Sequence, residues 1–312
     1  MRETRDIDDS FRVLLVFPPV WTPVTPYLAL PLLVGYLQKE GLSVKQVDAS
    51  LDFFDKYLLK EETLFDLWDM IRRRNRDGEY AQASQKDTSL LHDLEANHGL
   101  WAEKVSGVRG MLATLKGETA FYEPGSCILA QSGLYNLLRL ASLAYYPATF
   151  TFNTFTNNTI NNLSGLLRFC DDVHANPFLT FYSLHLLHKI DDEKPSLIGL
   201  SISTSHQLAG ALTLARLIKK NYPSMHVTLG GKHILRLQEF FVDDPAFCHE
   251  FCHSMILDNG ERPLKRLVQA LSEGRSLSRV AYLAYFKGHR VVFPAKGPHE
   301  PISSLPAPDF SD

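Results

Sequence analysis

The chain has 312 residues, 45% of them hydrophobic and 21% charged, with a net charge of −3. Such values belong to a soluble globular protein of one large domain or two, and the weak charge excludes the basic surface of a nucleic-acid-binding protein. No uncharged apolar run reaches the ~18–20 residues of a membrane span, and the start MRETRDIDDS lacks the apolar core of a signal peptide, so a cytoplasmic location is expected.

In chain order, RVLLVF at 12–17 is an apolar run stopped by Pro18-Pro19, the pattern of a buried central strand. The loop PPVWTPVTP follows, then a helical pattern over 27–40 closed by Gly41, then SVKQVD at 43–48, which alternates as a strand does. From 51 to 190 the pattern is mainly helical, with clear periodicity in LDFFDKYLLKEETLFDLWDMIRRR and further helical candidates at 100–115 and 127–145. The stretch TFTFNTFTNNTINNLS at 149–164 reads equally as an irregular loop or a strand pair. Strand and helix alternation resumes with SLIGLSIS, SHQLAGALTLARLIKKNYP, HVTLGG, KHILRLQEFF read as one helix, HSMIL, and a helix opening at Gly260 or Glu261 and closing at Gly274. RVAYLAYFKGHRVVF reads as a hairpin turning at Lys287-Gly288. The tail PAKGPHEPISSLPAPDFSD has the composition of a linker.

This rhythm predicts an α/β fold: a doubly wound, mostly parallel, five-stranded Rossmann-like sheet of flavodoxin-like order, with a large helical insertion and a C-terminal β-hairpin. The expected domains are an α/β domain from 1–50 and 191–296, a mainly helical insertion over 51–190, and a proline-rich linker over 297–312. Ligands of such sheets sit beyond the carboxyl ends of the strands, at the switch point. That places the candidate site on the loops at 18–27, 201–206, 230–234 and 258–262.

Those loops carry no G-x-G-x-x-G and no P-loop signature, so a dinucleotide or nucleoside triphosphate site is not expected. The first offers Pro18, Pro19, Trp21, Thr22, Pro23, Thr25 and Pro26, equally readable as a stiff surface loop. The second offers Ser201, Ser203, Thr204 and Ser205 beside His206, more hydroxyls than one helix cap uses. Gly230-Gly231 is by itself most simply a turn with positive φ. Asp258-Asn259-Gly260-Glu261 suits a helix start. Together they place space and neutral hydrogen-bonding groups at several strand ends with no basic cluster, which fits a large, weakly charged cofactor tail. A G-x-S-x-G elbow, the mark of a hydrolase alternative, is absent.

Five stretches carry a resemblance: VLLVFPPVWTPVTPYLALPLLVGYLQKEG at 13–41, LIGLSISTSHQLAGALTLARLIKK at 197–220, VTLGGKHILRL at 227–237, LDNGERPLKRLVQAL at 257–271 and LPAPDF at 305–310. In their order and spacing the chain resembles the N-terminal, cobalamin-binding half of cobalamin-dependent radical S-adenosylmethionine enzymes, of the type that C-methylates peptides and natural products. The resemblance covers about half the chain, chiefly its two ends. It implies that the chain holds (methyl)cobalamin as its cofactor. Pro19, Trp21 and Thr22 would lie under the corrin, with Ser201, Ser203, Thr204 and Ser205 facing the nucleotide tail. Gly230 and Gly231 would let the tail pass, and Asp258, Gly260 and Glu261 would flank the benzimidazole, where the family more often has Gly-Glu-Gly-Glu. No histidine stands in the first loop, so cobalt would have no histidine ligand from it.

The family's Cys-x-x-x-Cys-x-x-Cys, which holds an iron–sulfur cluster, is missing. Cys248 and Cys252 have the first spacing, but Met255 stands where the third thiolate is due. With His249 and His253 they have donor types suited to zinc, although two semi-buried thiols are the preferred reading. The chain is therefore not expected to be catalytic alone. Its expected partners are cobalamin, a separate radical subunit or domain, and a peptide or small-molecule substrate, with no nucleic acid and no membrane. The alternatives are a non-catalytic cobalamin sensor or carrier, or an unrelated α/β enzyme.

Overall fold

The structure is a computed structural model and describes residues 11–23, 25–243, 245–288, 290–293 and 295–311. The chain divides into two compact units: one holds the segment ending at Pro19, Pro23–Ser50 and everything described from Phe178 onward, the other Val20–Thr22 and Leu51–Pro177. The elements begin with β1 (Arg12–Phe17), α1 (Ala29–Lys39), β2 (Ser43–Asp48) and α2 (Ala49–Asp52), which runs into a π-helical turn at Phe53–Leu58. Helices α3 (Glu61–Arg76), α4 (Gln85–Ala96), α5 (His98–Ser106), α6 (Val108–Lys116) and α7 (Pro124–Ala144) follow, then β3 (Thr149–Phe150), β4 (Phe155–Thr156) and α8 (Leu163–Asp171). After α9 (Pro177–His185) and α10 (Leu187–Glu193) come β5 (Leu197–Ser201), α11 (Leu208–Asn221), β6 (His226–Gly230), α12 (Lys232–Arg236), α13 (Gln238–Asp243) and α14 (Pro245–Phe251). β7 (Ser254–Ile256), α15 (Glu261–Ser272), β8 (Leu283–Lys287) and β9 (Arg290–Val292) complete the order.

One sheet organises the first unit, with strand order β2-β1-β5-β6-β7-β8-β9. The strands from β2 to β7 are parallel, and β8 and β9 are antiparallel. The sheet thus has seven strands, not five. The reason is the short edge left by β7: β8 pairs Leu283–Tyr285 against it and satisfies backbone groups that would otherwise end unpaired. β1 lies inside the sheet, between β2 and β5, and its Val13–Phe17 are all apolar and buried, as a strand covered on both faces requires. β2 alternates exposed and buried residues over its first four positions, as an outer strand does. α1 lies beside α15, and α11 beside α14. The stretch KHILRLQEFF forms two short helices, parted at Leu237, where one continuous helix was expected.

The second unit is helical, with a two-stranded β3-β4 pair in the stretch that the sequence left open. α3 buries Leu64, Leu67, Trp68 and Ile71, residues at helical spacing, and α7 packs along α3 and α6. Trp101 on α5 is 2% exposed, and its indole N–H donates to Asp93 at 2.9 Å. The helical candidate at 100–115 is two helices meeting at Gly107. Helix α9 belongs with the sheet-containing unit from Phe178 onward, so the boundary falls earlier than 190.

The proline-rich tail lies against α1, although its composition is that of a linker. The Glu300 carboxylate accepts from the Tyr36 hydroxyl at 2.9 Å and from Arg262 Nε at 2.8 Å. Further on, Lys39 Nζ donates to the Ser304 carbonyl at 3.0 Å and Gln46 Nε2 to the Asp309 carbonyl at 2.8 Å. Asp309 N–H donates to Pro31 O at 2.9 Å. The hydrogen bonds from Arg262 and Tyr36 hold the Glu300 carboxyl below the usual glutamate range. A depressed carboxyl stabilises the docked tail above its ordinary pKa of about 4.3, and that contribution is lost as pH falls below it. Glu300→Gln is expected to speed tryptic cleavage at Lys296 about two- to fivefold at neutral pH, the effect of a partly exposed ion pair worth about 0.5–1 kcal/mol. An unchanged cleavage rate would show that the carboxylate does not hold the tail.

Candidate functional site

The sheet's switch point lies between β1 and β5, whose following loops leave in different directions. Side chains tie these loops together. The Tyr27 ring stacks on Phe17 with centroids 4.2 Å apart and planes 10° from parallel. Its hydroxyl hydrogen-bonds the Ser203 hydroxyl. Gln207 is fully buried; its Nε2 donates to Pro18 O at 2.8 Å, and its Oε1 accepts Ser203 N–H at 2.9 Å and Thr204 N–H at 3.3 Å. Gln207→Leu strands two amides and a carbonyl, so it is expected to cost about 2 kcal/mol in urea unfolding. A cost below about 0.5 kcal/mol would show that water replaces the amide.

Beside this junction a cleft of about 310 Å³ opens between α1, α15 and the sheet. Its floor follows from strand register. Leu15, Gly199 and Thr228 stand in one row across β1, β5 and β6, and Ser201, Gly230 and Ile256 line it one step nearer the carboxyl edge. Alternation puts all four small residues of β5 and β6, Gly199, Ser201, Thr228 and Gly230, on the same face. The helices therefore cannot close on the sheet there. Leu30 and Leu33 of α1, Leu235 of α12 and Leu264 of α15 form apolar walls. Charge among the lining residues is confined to Lys232, Asp258 and Glu261. Such a cleft suits an apolar group with a few neutral polar atoms.

The two adjacent glycines differ. Gly231 has φ +100°, and a Cβ there would lie 2.4 Å from Ile202 O. The same carbonyl accepts His233 N–H at 3.1 Å, while Ile202 N–H donates to Gly230 O at 2.8 Å. Glycine at 231 is thus required by the neighbouring backbone, and passage of a cofactor tail is not needed to explain it. At Gly230 a Cβ would meet only Ile256 Cβ, at an ordinary 3.8 Å. The fold does not require glycine there, and its missing side chain leaves the cleft open.

Of the residues singled out from sequence, the cleft brings together Ser201, Gly230, Gly231, Asp258, Gly260 and Glu261. Pro19, Ser203, Thr204 and Ser205 do not line it; Ser203 serves the loop junction instead. Trp21 and Thr22 belong to the other compact unit. Sequence reasoning missed Tyr27, Gly199, Thr228 and Lys232. The alternation of LIGLS and HVTLG contains the signal for Gly199 and Thr228, since both fall on the face of Ser201 and Gly230.

Cys248 and Cys252 are buried. A hydrogen bond donated by its S–H to Cys248, together with burial, pushes the Cys252 thiol up. His253 Nδ1 accepts Val227 N–H at 2.9 Å. No group of three or more His, Cys, Asp or Glu suited to a metal ion occurs among the described residues, and none of their helices is long and apolar enough to cross a membrane.

No protein-family model matches the chain. Over 133 residues, 42% of the chain, it is 27% identical to an uncharacterized methyltransferase of Pyrococcus horikoshii, and the match spans 28% of that protein. Among solved structures it is similar to the radical S-adenosylmethionine methyltransferase TsrM from Kitasatospora setae. The form with tryptophan substrate and a SAM analogue bound gives a TM-score of 0.41 at 13% identity, over 92% of this chain and 30% of that one. The form with cobalamin and a [4Fe-4S] cluster bound gives 0.39 at 13% identity, over 95% of this chain and 31% of that one.

Proposed function

We propose that the sheet-containing unit is a cobalamin-binding module of a radical methyltransferase system. The observation that carries this reading is the cleft over Gly199, Ser201, Thr228 and Gly230, apolar-walled and weakly charged, beside the switch point of a parallel sheet. The similarity of part of the chain to a methyltransferase agrees with it. The residues present fit the nucleotide tail: Gly230 leaves the width of a side chain free, Ser201 and Thr228 offer neutral hydrogen bonds, and Leu30, Leu33 and Leu264 face apolar atoms. Asp258 and Asn259 would flank the tail's entrance, and Lys232 is the cation at the cleft that would meet a phosphodiester. Methylcobalamin, when bound, supplies a transferable methyl group.

In this reading the chain's own residues bind, orient and exclude water, and none moves a proton in the methyl transfer itself. The radical step belongs to another domain or subunit, since Cys-x-x-x-Cys-x-x-Cys does not occur in these 312 residues. The loop at 18–27 contains no histidine, so it would offer cobalt no imidazole. The test is to mix the chain with hydroxocobalamin, pass it through gel filtration and record the visible spectrum. Corrin absorption should co-elute with the protein, and a colourless protein peak would refute the reading.

A further inference from the structure

Three polar side chains stand in line beneath the cleft. Thr228 and Ser254 are register partners on β6 and β7, and His226 lies two residues before Thr228 on the same face. His226 Nε2 is 2.8 Å from Ser254 Oγ, and Ser254 Oγ is 3.0 Å from Thr228 Oγ1. Ser254 and Thr228 are 1% and 2% exposed. The two ends of this chain open differently. Thr228 lines the cleft, while His226 lines a second cavity, of about 770 Å³, at the amino ends of the strands.

Each hydroxyl has one proton to donate, and the geometry makes Ser254 the donor to Thr228. Ser254 in turn can accept Nε2–H of a neutral His226, so the chain runs from His226 through Ser254 to Thr228, and the Thr228 proton is not used within it. Burial keeps His226 neutral, its pKa lowered to about 3. The neighbouring His253 ring, 5.1 Å away, stays outside the chain, because its Nδ1 is taken by Val227 N–H. The Thr228 side chain makes no other hydrogen bond among the described residues, which leaves its proton for a ligand in the cleft.

We propose that Thr228 is a hydrogen-bonding contact on the floor of the cleft, and that His226 is a positioning residue that, through Ser254, directs the Thr228 proton to an acceptor on the ligand. The matching ligand group is neutral: a hydroxyl, an amide or a ring nitrogen. The choice of probe rests on the cobalamin reading of the cleft; the side-chain relay does not.

Equilibrium dialysis of the full chain against cyanocobalamin tests both together. Thr228→Val, of equal shape, should raise Kd about tenfold, the loss of one buried hydrogen bond. His226→Phe should raise it about threefold, and His226→Gln, whose amide nitrogen replaces Nε2, should restore most of that. The double variant Thr228→Val with His226→Phe should bind no worse than Thr228→Val alone, because the histidine acts through the threonine. Additive losses, or wild-type affinity in Thr228→Val, would overturn the proposal and leave the cobalamin reading standing. If the wild-type chain takes up no cyanocobalamin, that reading fails. The relay is then decided in the free protein by the ring ¹⁵N shifts of His226, which must move in Ser254→Ala and in Thr228→Val. Unmoved shifts overturn it.

Discussion

Gly231→Ala is expected to destabilise the chain by about 2–6 kcal/mol, seen as a lower urea midpoint with unchanged slope. Two costs add. At φ +100° and ψ 166° the residue sits in a region that is essentially glycine-only, where another residue costs about 1–3 kcal/mol. The new Cβ would also stand 2.4 Å from Ile202 O and 2.8 Å from Ile202 N, so backbone must move, at a further cost of about 1–3 kcal/mol. Relief is blocked on both sides. Ile202 N–H donates to Gly230 O, and Ile202 O accepts from His233, so shifting Ile202 breaks the pairing that ends β5 and starts α12. A loss below about 1 kcal/mol would show that the β5 loop yields, and that the close approach is not a structural constraint.

Much of this arrangement is legible in the sequence, and the remainder fails for identifiable reasons. RVLLVF, LIGLS and HVTLG announce themselves as strands because burial on both faces leaves only apolar and small residues after the first position of RVLLVF and HVTLG and throughout LIGLS. The hairpin at 283–292 is legible as a hairpin, but a local pattern does not reveal which edge it joins; that depends on β7 being a short strand whose outer edge only β8 pairs. The tail is a harder case. Its prolines give it a linker's composition, while its docking depends on single long-range bonds such as Glu300 to Arg262 and Gln46 to Asp309. Among the hydroxyls of 201–205, sequence cannot tell a cleft residue from one that serves a loop. Ser201 still obeys strand alternation and faces the cleft, but Ser203 lies past the strand end and is turned to Tyr27 by Gln207. The glycine pair divides for the same reason: one belongs to the strand and lines its face, and the other belongs to the turn.

Gly230→Phe is expected to lower hydroxocobalamin affinity at least about 100-fold while the fold survives. The affinity loss corresponds to about 2.7 kcal/mol, which is modest for filling a cleft in which the ligand must otherwise lie. Survival of the fold follows from the backbone. Gly230 does not have a positive φ, and its Cβ position meets only Ile256 at 3.8 Å. Glycine inside a strand also costs about 0.5–1 kcal/mol relative to alanine, so Gly230→Ala should be stability-neutral or slightly stabilising. That contrast gives the experiment its force. At 231 the fold demands glycine, and a substitution there cannot separate unfolding from lost binding. At 230 the fold gains nothing from glycine, so its absent side chain matters chiefly to what enters the cleft. Unfolding transitions with matching midpoints, combined with loss of the co-eluting corrin spectrum, would place the tail against β6. Retained colour in Gly230→Phe, with the wild-type chain coloured, would move the cofactor elsewhere on the sheet edge.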